Sequence, residues 1–225
     1  MPNRPQTLQS RLPTSARAKR GGLVVLAGMA MAGAAIIPHR QARRAELDHP
    51  PKGRFVTVRG TRLHYLERGT GRPVLFLHGN GAMVEDLLIS GVVDRAARQY
   101  RAVAFDRPGF GYSDRPGNRR WTASAQAFIL SEAFRLLGID RPIVIGHSWG
   151  ALVALALALD HPRQVSGLVL VSGYYYPSPR ADVALFSPPA IPVVGTLISH
   201  TVAPFIGEAM APSLIERMFS PQGVS

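Results

Sequence analysis

The 225-residue sequence contains no cysteine. That excludes a disulfide framework and any thiolate metal site, and leaves the redox compartment open. Histidines and acids nowhere fall at the spacing of a metal-ligand motif. No dinucleotide fingerprint or phosphate loop is present, since Gly79-Asn80-Gly81 is too short to cradle a phosphate. No internal repeat is visible. Neither a cofactor nor a metal is therefore expected.

Acidic residues are also scarce, with 14 against 26 Lys+Arg for a formal charge of +12. The imbalance is local. Residues 1–59 hold 11 basic and 2 acidic residues, while 60–225 hold 15 and 12. A basic stripe interleaved with aromatics is missing from the later part, so nucleic acid is not an expected partner.

The basic N-terminus forms a unit of its own. Residues 1–20 carry Arg4, Arg11, Arg17, Lys19 and Arg20 and no acid. Gly21 to Ile37 is apolar and uncharged, Pro38 ends it, and His39, Arg40, Arg43 and Arg44 follow. Two readings compete for residues 21–38. One is a single-pass transmembrane anchor. The other is a secretory signal peptide, cut near Ala30-Met31-Ala32, which would make the protein secreted or periplasmic. The length of the run favours the anchor. Its flanking arginines would then meet anionic lipid headgroups, and their presence at both ends leaves the side of the membrane open. Residues 39–52, with Pro50-Pro51, read as a linker.

From residue 53 the pattern changes. Pro73 to Leu77, Ala102 to Phe105, Pro142 to Ile145 and Gly167 to Val171 are short, continuous apolar runs. Continuous rather than alternating hydrophobicity marks strands buried on both faces, as in a parallel sheet covered by helices. Val84 to Gln99, Thr122 to Leu137 and Trp149 to Leu159 have helical length and composition. The last is apolar all round, which predicts a central buried helix. Arg54 to Val58 and Leu63 to Glu67 flank Arg59-Gly60-Thr61-Arg62 and read as an antiparallel hairpin at the sheet edge. The fold class is α/β with right-handed crossovers.

Gly146-His147-Ser148-Trp149-Gly150 sits between the strand ending at Ile145 and the helix that follows. A G-x-S-x-G turn in that context lifts the serine hydroxyl clear of the backbone, where it can attack a carbonyl. The glycines have a steric task, because a Cβ on either side of the serine would meet the neighbouring strand or helix. Alone, the motif would equally describe an ordinary loop. Here two more motifs precede it in order: His78-Gly79-Asn80-Gly81, and Asp106-Arg107-Pro108-Gly109-Phe110-Gly111-Tyr112-Ser113.

Together the three motifs, over residues 53–173, resemble the α/β-hydrolase superfamily in its lid-bearing form. The resemblance implies a mostly parallel, doubly covered sheet with an N-terminal hairpin and a small-molecule acyl substrate. Ser148 would be the nucleophile, with an oxyanion hole from the N–H groups of Trp149 and Asn80. His78 and His147 read as structural, and Asp106 as a carboxylate bonding loop backbone. Lid-bearing dehalogenases of this superfamily use Asn and Trp at these two positions to hold halide, but their nucleophile is aspartate, as in epoxide hydrolases. Serine suits an ester, thioester, amide or activated C–C bond instead, so the expected activity is ester hydrolysis. A cofactor-free haloperoxidase or C–C bond hydrolase, or a non-catalytic binding protein that keeps the pocket, are the alternatives.

The order implied by the resemblance is Ser, then acid, then His. After Ser148 the acids are Asp160, Asp182, Glu208 and Glu216, and the histidines His161 and His200. None follows a convincing late strand. Residues 174–225 are proline-rich and resemble part of a helical lid. The last two strands, the acid and the base are thus expected to be absent from this stretch, roughly 80–100 residues short of a whole domain of this type.

Overall fold

The computed structural model describes residues 40, 43–117, 120–176 and 203–219. Pro50–Ser178 form one compact unit. Its strands are β1 (Arg54–Val58), β2 (Thr61–Arg68), β3 (Pro73–Leu77), β4 (Arg101–Phe105), β5 (Ile143–His147) and β6 (Gly167–Val171). They form one sheet in the order β1-β2-β4-β3-β5-β6. β1 and β2 make the expected antiparallel hairpin, and β2 runs antiparallel to β4. The pairs β3–β4, β3–β5 and β5–β6 are parallel.

β2, β3, β4 and β5 each feed two cores, which explains the continuous apolar runs of β3, β4 and β5. Leu75, Leu77, Val103, Phe105 and Val144 pack on one face. They meet Ile129, Leu130 and Phe134 of α3 (Ala123–Leu137) and Val153, Ala154 and Leu157 of α4 (Trp149–Asp160). Val74, Phe76, Ala102 and Ala104 point the other way, against Val84 and Leu87 of α1 (Val84–Ile89) and Val93 of α2 (Val92–Ala96). The alternation within one strand is the period of two, and both faces are apolar because helices cover both.

Two expectations change in detail. Val84 to Gln99 is not one helix but two short ones, because Gly91 between them takes the left-handed conformation at φ 70°. α4 is buried along one side only, and Leu159 at its end is exposed. α3 follows the sequence closely. Thr122 caps it by accepting a hydrogen bond from the Ala125 N–H at 3.2 Å, and left-handed Gly138 stops it.

β6 differs from the other parallel strands. It pairs with β5 alone among the described residues, and Val169, Leu170 and Val171 are 44, 38 and 42% exposed. Its position at the edge of the sheet accounts for this, since among the described residues no further strand pairs with its outer side.

A second unit contains α5 (Ala203–Phe219), a 17-residue helix that continues through Pro212. It falls in the stretch read as lid. Asp182 and His200, named in the same stretch, lie outside the described residues.

The expected single-pass membrane anchor is corrected. Among the described residues no helix is long and apolar enough to cross a membrane, so the anchor and the lipid contact drawn from it are not supported. The run Gly21 to Ile37 and the cleavage motif at Ala30-Met31-Ala32 themselves lie outside the described residues.

The packing sets a scale for stability. Phe134 is fully buried between α3 and the sheet, and Phe134→Ala is expected to cost about 3–5 kcal/mol. Thr122→Ala, which removes one cap bond, is expected to cost about 1 kcal/mol. Urea titrations followed by circular dichroism check both, through the midpoint at unchanged slope.

Candidate active site

The site is assembled at the carboxyl ends of β3, β4 and β5, where a parallel α/β sheet leaves a crevice. β5 delivers the elbow. Ser148 adopts φ 52°, ψ −120°, a region that L-residues rarely occupy and that must be held by its surroundings. Three observations identify what holds it. The Ser148 N–H donates to Val171 O of β6 at 2.9 Å. A Cβ at Gly146 would lie 2.5 Å from Gly150 O and 2.6 Å from the Ala151 Cα. A Cβ at Gly150 would press on Leu77 O and lie 2.6 Å from His78 O. Glycine at both positions is thus a packing requirement: strand β3 and helix α4 meet backbone to backbone.

Ser148 is half-buried. The loop after β3 lies directly against it, since a Cβ at Gly79 would sit 3.0 Å from the Ser148 Cβ and 3.2 Å from His147 Nδ1. Asn80 is next in the chain and exposed. Trp149 opens α4, so its N–H belongs to the first turn, where no intrahelical acceptor exists. The structure therefore brings Ser148, Trp149 and the Gly79-Asn80 loop into one place. His147 is exposed rather than packed.

His78 is structural, as its motif implied. It is 1% exposed. Its Nε2 accepts the Arg107 backbone N–H at 3.0 Å, so Nδ1 carries the proton and donates to Gly79 O at 2.8 Å. Burial, reinforced by the nearby Arg107 charge, lowers its pKa from 6.5 to about 4. The ring is neutral at pH 7 and serves to brace the Gly79-Asn80 loop.

Asp106 ends β4 and bonds three segments. Oδ1 accepts the Val84 N–H at the start of α1 at 2.7 Å, and Oδ2 accepts the Tyr112 N–H at 3.1 Å. Oδ2 also lies 2.7 Å from His64 Nδ1. The other nitrogen of His64 accepts the Gly53 N–H at 3.2 Å, which places the His64 proton on Nδ1, facing Asp106. Ser113 Oγ closes the cluster, accepting from the His64 N–H at 2.9 Å and donating to Asp106 O at 2.7 Å.

The two buried imidazoles are thus committed to structure. His161 caps the far end of α4, about 20 Å from Ser148 at 1.5 Å per residue, and cannot reach it. Sequence reasoning passed over His64, Gln126 and above all Arg107. The only signal for Arg107 was its place beside Asp106 at the buried end of a strand.

His78 makes stability pH-dependent. Its folded pKa lies below its unfolded value, so the unfolded chain takes up the proton first. The contribution is whole above about pH 6.5 and is lost as the pH falls towards 4, on the order of 3 kcal/mol in all. Urea midpoints between pH 7 and pH 4 are expected to fall, and His78→Gln is expected to flatten that part of the slope.

Comparison with known proteins agrees with this geometry. Residues 72–219 match the family model for the alpha/beta hydrolase fold. Haloalkane dehalogenase 2 of Mycobacterium tuberculosis is 30% identical over 139 residues, 62% of this chain and 48% of the dehalogenase. The 2-hydroxymuconate semialdehyde hydrolase of Pseudomonas putida is 33% identical over 122 residues, 54% of this chain and 43% of that enzyme. Among solved structures, that of Est816, an N-acyl homoserine lactone degrading enzyme, superposes with a TM-score of 0.50 at 27% identity. That match covers 53% of this chain and 45% of Est816. The chain spans about half the length of the curated relatives it matches. A family model matched over most of the chain, on a sheet and elbow of the corresponding form, establishes that the chain belongs to the alpha/beta hydrolase fold family.

Proposed function

We propose that the whole protein is a serine hydrolase acting on carboxylic esters or related acyl substrates. Ser148 Oγ attacks the acyl carbon and passes its proton to a base. The carbonyl oxygen becomes an oxyanion, received by the N–H groups of Trp149 and Asn80. Collapse expels the alcohol, which takes the proton, and water then releases the acid from the acyl-serine. The base is a histidine with its own acid, since an unassisted serine hydroxyl is a poor nucleophile near pH 7. The residues proposed for this chemistry are Ser148, Trp149 and Asn80. The division into a basic tail (1–20), linker (39–52), core (53–173) and lid segment (174–225) belongs to the same proposal.

The observation that carries this reading is the backbone of Ser148 at φ 52°, ψ −120°. Such a conformation is costly for a non-glycine residue, and strain of this kind clusters at functional positions. Serine in place of a carboxylate separates this chain from the halide-displacing members that its Asn80 and Trp149 otherwise resemble. A lactone is a cyclic ester, so the likeness to Est816 supports the same substrate class. A second reading, C–C bond hydrolysis, is favoured by the 33% identity to the semialdehyde hydrolase.

In the whole protein, Ser148→Ala is expected to abolish p-nitrophenyl ester turnover and fluorophosphonate labelling, a loss on the order of 10⁴–10⁶-fold. Labelling that persists on another serine would sink the assignment. Turnover of a vinylogous 1,5-diketone dienoate in preference to the esters would move the protein to the second reading.

A further inference from the structure

Arg107 is the largest fully buried side chain among the described residues, at 0% exposure. Its three hydrogen-bonding groups reach the segment after β3 twice and α3 once. Nε donates to His78 O at the end of β3 at 2.8 Å. Nη1 donates to Gln126 Oε1 on α3 at 3.3 Å. Nη2 donates to Asn80 Oδ1 at 2.9 Å. The planar head is sandwiched, with its central carbon 4.4 Å from the Phe110 ring centre and 4.8 Å from that of Trp149. All three acceptors are neutral. The adjacent carboxylate, Asp106, is committed to Val84, Tyr112 and His64. Burial lowers the guanidinium to about 10, still well above neutrality, so it stays charged at pH 7.

A buried cation with neutral partners is a costly feature. As a tie between β3, β4 and α3, a neutral side chain of similar shape would serve without that cost. What distinguishes Arg107 is the pair of residues it touches: Asn80 through a hydrogen bond and Trp149 through its ring face. These are the two whose N–H groups were assigned to the oxyanion. In a low-dielectric setting a positive charge acts strongly over such distances.

We infer that Arg107 is a positioning residue of this site, whose guanidinium fixes the Asn80 loop and the Trp149 ring together and places a positive field beneath the point where the acyl oxygen gains charge. This rests on the assignment of Ser148, Asn80 and Trp149 proposed above. Arg107 does not meet the substrate; it acts through the two residues that do. Because the field rewards charge that appears only as the bond forms, its contribution belongs to kcat and not to ground-state binding.

The test uses the whole protein, with p-nitrophenyl acetate as substrate and a fluorophosphonate titration to count competent sites. That count separates loss of folded protein from loss of rate. Arg107→Met is expected to lower kcat per titrated site about 10- to 100-fold, below the effect of deleting a direct oxyanion donor, with KM within about threefold. Arg107→Lys is expected to recover part of kcat. Asn80→Ala is expected to cost much less in the Arg107→Met background than alone, because the two residues act as one unit. Should Arg107→Met fail to fold, Asn80→Ala decides. It keeps the backbone N–H at position 80 but removes the acceptor for Arg107 Nη2, and kcat per titrated site is expected to fall; an unchanged kcat would overturn the inference. So would an unchanged kcat per site in Arg107→Met, or fully additive losses in the cycle. Ser148→Ala runs beside them. A silent Ser148→Ala with an undiminished Arg107→Met overturns this inference alone, whereas an active Ser148→Ala overturns the nucleophile as well.

Discussion

Three backbones meet with no side chain between them, and the rest of the site follows from that approach. The end of β3, the turn after β5 and the first turn of α4 are so close that Gly146 and Gly150 have no room for a Cβ. Only with this spacing can β5 pass into α4 through one residue in a left-handed conformation. The strain at Ser148 is not local slack; it is imposed by parallel strands packed under a helix on one side and held by β6 on the other. Rigid elements thus carry Ser148, and only the facing Gly79-Asn80 segment is a loop.

That loop needs a support of its own, because Gly79-Asn80-Gly81 contains two glycines and little to stiffen it. Support comes from below. His78 binds the loop through Gly79 O and meets the Arg107 backbone through its other nitrogen. Arg107 returns to His78 O and to Asn80. The ring and the guanidinium form a closed circuit of hydrogen bonds. Its electrostatics are self-consistent, because the fixed charge of Arg107 helps to keep His78 neutral and so keeps it an acceptor.

Most of the sheet was legible because its signals are local and redundant. Continuous apolar runs mark β3, β4, β5 and β6, and a cap and a left-handed glycine bracket α3. The elbow was legible for a different reason: its glycines record a steric limit that tolerates no alternative. What escaped was the interior wiring. Arg107, Gln126 and His64 are polar residues whose burial depends on where distant strands end, and nothing in their neighbours announces it. The break at Gly91 escaped for the opposite reason, since one residue's backbone sign outweighed an otherwise helical composition. The N-terminal apolar run suggests an anchor only through length and flanking charge, signals that carry no information about packing.

The carboxylate of Asp106 has a kinetic meaning. Its three partners lie 42, 22 and 6 residues away in the chain, and Ser113 reaches 49 residues back to His64. The nearest bond can close within a local loop. The farthest cannot form until β2 has found β4, a pairing with a large loop-closure cost. Asp106 therefore joins the most distant of these pairings to the nearest through one side chain. Until the hairpin docks, Oδ2 lacks its His64 partner, while Oδ1 is already free to hold the Val84 N–H at the start of α1. Once it docks, the hairpin, the helix and the loop from Gly109 to Ser113 are locked by one buried group. Opening any of them afterwards means wetting all three. Amide protons at Val84, Tyr112 and His64 then share a single protection factor, as members of one cooperative unit.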